Sequence, residues 1–221
     1  EKDIKMLLKG DCLIPDLAIV DFDFSVDMPK SVTASTGLDA LTHAIEAYTS
    51  KKAFALTDVY AVSAVKRIMK YLPVAYKNGY DAKAREQMAI AAFEAGVCIN
   101  NSSVTIVHGM SRPIGALFHV PHGMSNAMLI KECLSFALDG AYDRFGELGR
   151  AIGAATDEDS DKEAAEKLML KVEELCRICE IPTLKEYGIE ESEFMNYIPK
   201  MAEDAILSGS PGNTRKNITK E

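Results

Sequence analysis

From Pro29 onward the apolar residues of this chain recur at helical rather than strand-like spacing, and a sequence patterned that way buries its apolar faces by packing helix on helix. The expected fold is therefore mainly α. Thr36 to about Ser50 puts Leu38, Leu41, Ala44, Ile45 and Tyr48 on one helix face. A second helix, which Thr57 should cap, carries Val62, Val65, Ile68, Met69 and Leu72 and should end near Pro73, whose ring removes a backbone donor. Asp81 opens a third, reaching to about Val97, with a narrow stripe of Met88, Ala91, Ala92 and Ala95 that lets a neighbour approach closely. Further helices are expected over Met124 to Phe136, Tyr142 to Ile152, Lys162 to Cys179 and Glu191 to Ile206, with a surface loop at Asp157 to Asp161 and a turn at Ser208 to Asn213.

Before Pro29 the pattern differs. Leu17 to Val20 is a short β-branched apolar run between Pro15, Asp16 and Asp21, which predicts one buried strand. A lone strand needs a sheet, and no later segment reads as its partner. We therefore expect residues 1–28 to be the remnant of another domain with its linker, and residues 29–221 to be an α-helical domain. No glycine-rich phosphate turn follows a strand, so residues that bind a dinucleotide are not identifiable here.

A chain of 221 residues, 48% hydrophobic, is long enough to bury a sizeable core. Its formal charge of -8 repels phosphate backbones and anionic headgroups, which argues against nucleic acid or a membrane surface as partners. No apolar run reaches the roughly 18 to 20 residues of a membrane span. Five scattered cysteines in a chain of this size predict free thiols in a reducing, cytoplasmic compartment. Cys176 and Cys179 form a CxxC, but they fall within a predicted amphipathic helix and no second pair of soft ligands accompanies them, so they read as packing residues.

The chemistry is concentrated in the histidines. His43 follows Asp39 by four residues on a predicted helix, which puts both on one face, one turn apart. His108 and His122 lie in a stretch, Asn100 to Asn126, interrupted by glycines and prolines that can fold broken helices around a point. Each piece has a local explanation. Asp39 could belong to a capping box opened by Thr36, and His-Gly pairs are common in turns. Together, Asp39, His43, His108 and His122 make a four-ligand set suited to a first-row divalent metal.

The run Thr36-Gly37-Leu38-Asp39-Ala40-Leu41-Thr42-His43-Ala44-Ile45-Glu46-Ala47-Tyr48, followed by Val107-His108-Gly109-Met110 and Pro121-His122-Gly123, resembles the iron-containing alcohol dehydrogenase family. That resemblance implies the helical metal-binding domain of the dehydroquinate synthase-like fold, with Asp39, His43, His108 and His122 as ligands to divalent iron. It implies NAD or NADP as hydride carrier, an alcohol or aldehyde as substrate, and a Rossmann-like cofactor domain of the same protein ahead of the helices. The isolated helical part should bind metal without turning over, and a homo-oligomer is expected. Because such ligands favour zinc, nickel or copper over iron, Zn2+ is the alternative ion. A zinc-dependent polyol dehydrogenase or dehydroquinate-synthase-like enzyme is the neighbouring reading. A helical phosphohydrolase is the distant one, disfavoured because no histidine here precedes an aspartate.

One position departs from the family. Where many members have a histidine four residues after the His108 equivalent, this chain has Arg112, which cannot relay a proton and is expected instead to hold a substrate carboxylate or a cofactor phosphate, with a surface ion pair as the plainer explanation. His119 is a second candidate for proton transfer. Glu46, one turn past His43, could orient a ligand, but a solvent-exposed glutamate is the expected reading.

Overall fold

The computed structural model describes Lys5, Leu8 and residues 10–220. Among these, eight α-helices carry the fold: α1 (Lys30–Thr49), α2 (Ala55–Lys77), α3 (Ala82–Asn101), α4 (Ile106–Leu117), α5 (His122–Ala137), α6 (Tyr142–Ala151), α7 (Asp161–Ile178) and α8 (Glu191–Leu207). The β pairing among the described residues is an isolated bridge between Ser50 and Thr214. No single helix among them is long and apolar enough to cross a membrane.

The helix α1 is the axis of the molecule. Leu38, Leu41, Ala44 and Ile45 are fully buried, packing with Ile68 and Leu72 of α2, Ala91 and Ala95 of α3, and Ile130 and Leu134 of α5 in one core. Burying a side chain such as Leu or Ile contributes about 1.5–3 kcal/mol. Because neighbours surround α1, its only open positions beyond the first turn are Ser35, Thr36, Asp39 and His43. Three of these, Ser35, Asp39 and His43, repeat every fourth residue and so form one stripe.

Several boundaries move for physical reasons. The first helix begins at Lys30, and Thr36 lies inside it, bonded back to the Val32 carbonyl, so the capping-box explanation of Asp39 does not hold. Phe54 is the N-cap residue of α2, and Thr57 sits at its third position, where its hydroxyl accepts the Phe54 N–H. Pro73 does not end α2, which continues to Lys77 because one missing donor is outweighed by the burial of Leu72, Ala75 and Tyr76. The helix start read from Asp81 is as expected, with Asp81 accepting from Ala84 N, and α7 starts at Asp161 under a Ser160–Glu163 capping box that sequence reasoning does not single out.

The predicted strand at Leu17 to Val20 is not formed. These residues form no regular secondary structure and no pairing among the described residues, and Leu17, Ile19 and Val20 are exposed. A strand without a hydrogen-bonding neighbour gains nothing from its β-branched residues. All five cysteines are free; Cys176 packs against the core and Cys179 is buried in it, where burial pushes their thiols up to about 11 and about 12. Neither is poised as a soft metal ligand.

Candidate metal centre

Three helices converge on the open stripe of α1. Asp39 and His43 come from its middle, His108 from the first turn of α4, and His122 from the first residue of α5, just after Pro121. Asp39 Oδ1 lies 3.8 Å from His43 Nε2, 3.5 Å from His108 Nε2 and 3.9 Å from His122 Nε2. All four donor atoms fall within 4.8 Å of one another. A tetrahedral site with bonds of about 2.0–2.2 Å has donors roughly 3.3–3.6 Å apart, so this set needs only a small contraction to hold one ion. The rings of His43 and His108 stack at 4.6 Å between centroids, and that of His122 tilts against His108 at 5.2 Å.

The approach of α5 to α1 depends on Gly123. A β-carbon there would lie 2.8 Å from the Ser35 carbonyl oxygen, a backbone atom that cannot step aside. We expect Gly123→Ala to destabilise the fold by about 1–3 kcal/mol through this clash. It should also weaken metal uptake by displacing the neighbouring His122. Thermal unfolding with and without Zn2+ checks both effects, and an unchanged metal-induced rise in Tm would show that α5 tolerates the shift.

The structure corrects the expectation for Glu46, which is fully buried rather than solvent-exposed. Its Oε1 accepts from Thr105 Oγ1 at 2.6 Å and from Val107 N at 2.7 Å, and its Oε2 meets His108 Nδ1 at 2.5 Å. One carboxylate therefore does two things. It satisfies an orphan amide in the first turn of α4, where Thr105 makes no side-chain cap, and its charge complements the positive end of that helix. It also accepts the Nδ1 N–H of His108, so that Nε2, once its own proton leaves, is the metal-facing donor. The sequence signal is present in Ala44-Ile45-Glu46-Ala47-Tyr48, a charge inside an unbroken apolar run.

Electrostatics prepare the ligands. Burial would raise the Asp39 carboxyl, but the His108 contact and the neighbouring imidazoles hold it down to about 2. Burial pushes His43 down to about 4, so near neutrality it offers a lone pair. His122 is also lowered, by burial first. For His108, burial acts to lower the pKa, and Glu46 and Asp39 together overcome it and lift it to about 9. Greater basicity makes Nε2 a stronger donor to a cation.

His43, His108 and His122 face a cavity of about 850 Å³, within the range of small-molecule sites. Arg112, one turn after His108 on α4, lines the same cavity, half-buried, with Nη1 donating to Ser210 Oγ at 2.8 Å. It makes no salt bridge among the described residues, so a surface ion pair is not what positions it. Lys5 lines the cavity as well. His119 is not brought to the cluster. It is exposed, with φ of 53°, at the turn between α4 and α5, a backbone conformation that histidine tolerates better than most residues. Asn126, which sequence reasoning does not single out, is fully buried beside the ligands, one turn after His122.

Residues 33–221 match the sequence profile described as Fe-containing alcohol dehydrogenase family, C-terminal. The chain is 36% identical over 220 residues to the NADPH-dependent butanol dehydrogenase of Clostridium saccharobutylicum, covering 99% of this chain and 56% of that protein. It is 37% identical over 210 residues to the 1,3-propanediol dehydrogenase of Citrobacter freundii, covering 94% and 53%. The crystal structure of a 1,3-propanediol oxidoreductase superposes with a TM-score of 0.86 at 33% identity, covering 90% of this chain and 52% of that one. The chain thus spans about half the length of the curated relatives it matches.

Proposed function

The chain belongs to the iron-containing alcohol dehydrogenase family, and from that membership we propose that it is the metal-binding half of an oxidoreductase interconverting an alcohol with an aldehyde or ketone. The observation that carries this reading is the meeting of Asp39, His43, His108 and His122 donor atoms within 4.8 Å at the wall of a substrate-sized cavity. The ligand chemistry fits a first-row divalent ion, Fe2+ by family and Zn2+ by intrinsic preference. Bound there, such an ion supplies a Lewis acid that polarises the substrate oxygen. The nicotinamide cofactor, NAD or NADP, would be held in this reading by a Rossmann-like domain of the same protein and would supply the hydride acceptor or donor. Five free thiols agree with a reducing, cytoplasmic setting.

The residues of this chain have distinct parts in that chemistry. His43 and His122, kept neutral, present lone pairs, and Asp39 supplies the one negative charge among the ligands. Glu46 holds the His108 ring in the required tautomer. Arg112 gives the cavity a fixed cation one turn from His108, and in this reading it binds an anionic group on the substrate. A charge-assisted hydrogen bond is worth about 1.5–3 kcal/mol, or roughly 10- to 150-fold.

In the enzyme carrying both halves, Arg112→Ala should therefore lower kcat/KM for an aldehyde bearing a carboxylate by about 10- to 100-fold. Neutral aldehydes of the same length should change by less than about threefold. Steady-state kinetics on the two substrate series is the check, and equal losses on both would remove the substrate-carboxylate role. An enzyme with no NAD(P)-dependent alcohol oxidation in any metal-loaded form would overturn the whole reading.

A further inference from the structure

The side chain of Asn126 is fully buried, and its amide nitrogen stands among the metal ligands: 2.6 Å from Asp39 Oδ1, 3.1 Å from His108 Nε2 and 3.3 Å from His122 Nε2. Its carboxamide oxygen, by contrast, has no hydrogen-bond partner among the described residues. The nitrogen has two hydrogens, which Asp39 Oδ1 and His122 Nε2 accept, so its donor capacity is fully engaged on the ligand set. A buried amide oxygen left unpaired is costly, so the side chain is held in this orientation by what its nitrogen touches.

The contact to His122 uses the electron pair that a cation would also use, and the contact to Asp39 uses a carboxylate oxygen that a cation would share. The Nε2 lone pair of a neutral imidazole can accept an N–H or bind a metal, but not both. An ion bonded to His122 therefore displaces the Asn126 N–H from that nitrogen. A half-turn of the carboxamide exchanges nitrogen for oxygen in the same space. That rotation turns the unpartnered acceptor toward the positive charge.

We propose that Asn126 is a positioning residue of the metal centre whose amide N–H groups hold Asp39 and His122 together and compete with the ion for the His122 lone pair. The proposal rests on the metal-centre reading above and deepens it. Asn126 stabilises the metal-stripped protein and, by the same contacts, weakens metal binding. His43 is the ligand its amide does not reach; Asp39, one turn away on α1, fixes that residue instead.

The test is a Co2+ titration of the metal-stripped protein, read from the cobalt d–d absorption, combined with thermal unfolding of the stripped and loaded forms. Asn126→Ala, and Asn126→Leu as a variant that keeps the bulk, should bind Co2+ about tenfold more tightly than the unaltered protein. Their stripped forms should lose more Tm than their loaded forms. Asn126→Asp, which replaces the donor by a second carboxylate, should bind more tightly still. Variants that bind no more tightly, or that lose equal Tm in both forms, overturn the role of Asn126 while leaving the metal centre intact. An unaltered protein that takes up no cobalt removes the metal centre, and this proposal with it.

Discussion

Replacing Glu46 by glutamine should cost the protein about 10- to 100-fold in divalent metal affinity, although Glu46 touches no metal. The expectation follows from proton placement. In the native arrangement the carboxylate accepts from Thr105, Val107 and His108 Nδ1, and nothing on it donates. Glutamine can present its oxygen to Thr105 and Val107, but its NH2 then faces Nδ1. The His108 ring must move its proton to Nε2 to accept that N–H, and a protonated Nε2 cannot ligate. Glu46→Ala should be worse for the fold, since it strands an amide, a hydroxyl and an imidazole N–H at a fully buried position. The loss of a buried charged partner of this kind is about 3–5 kcal/mol. Cobalt titration and thermal unfolding of both variants separate the two contributions. Glutamine with native affinity would reduce Glu46 to a cap for α4.

Asp39→Ala should be more severe for the metal and milder for the fold. Asp39 is the one anionic ligand, it sits on the open stripe of α1, and its oxygen is the atom from which His43, His108 and His122 are all within 3.9 Å. Removing it leaves the ion no anionic ligand, and affinity should fall about 150- to 5000-fold by the 3–5 kcal/mol penalty of an uncompensated buried charge. In the metal-stripped protein the same change removes a carboxylate held down to about 2, so its contribution to stability is present above the ordinary carboxylate range and lost only as pH falls toward 2. At neutral pH the stripped variant should accordingly melt below the parent. Metal content after dialysis against a chelator gradient, compared with Tm at matched pH, reads both effects.

How much of the fold is legible in the amino-acid sequence depends on the kind of information each residue carries. Helix existence is readable because apolar spacing is a local, repeated signal, and α3, α6, α7 and α8 begin within one residue of where Asp81, Tyr142, Lys162 and Glu191 place them. Their ends are less so. The carry-through of α2 past Pro73 depends on Leu72 and Tyr76 finding partners elsewhere in the chain, which spacing does not record. Leu17 to Val20 has strand composition but no pairing partner among the described residues, and pairing is a tertiary property.

The site divides the same way. Asp39, His43, His108 and His122 are recoverable because ligand types are few and their spacing on helices is restrictive. Glu46 reads as exposed since periodicity reports the apolar face of a helix, whereas α1 is enclosed on nearly every side. Asn126 gives no signal apart from its position one turn after His122. Its role depends on the approach of α5 to α1, which rests on the absence of a β-carbon at Gly123. His119 fails for the converse reason: proximity in sequence to His122 is undone by a left-handed residue that redirects the backbone.

The central claim is that four side chains from three helices share one ion. Anomalous difference maps collected at the iron and zinc absorption edges from crystals of the protein test it directly. We predict a single peak about 2.0–2.3 Å from Asp39 Oδ1 and from Nε2 of His43, His108 and His122, with the Asn126 amide nitrogen no longer in contact with His122 Nε2. An ion bound elsewhere in the chain, or metal-soaked crystals in which the four donors share no peak, would contradict it.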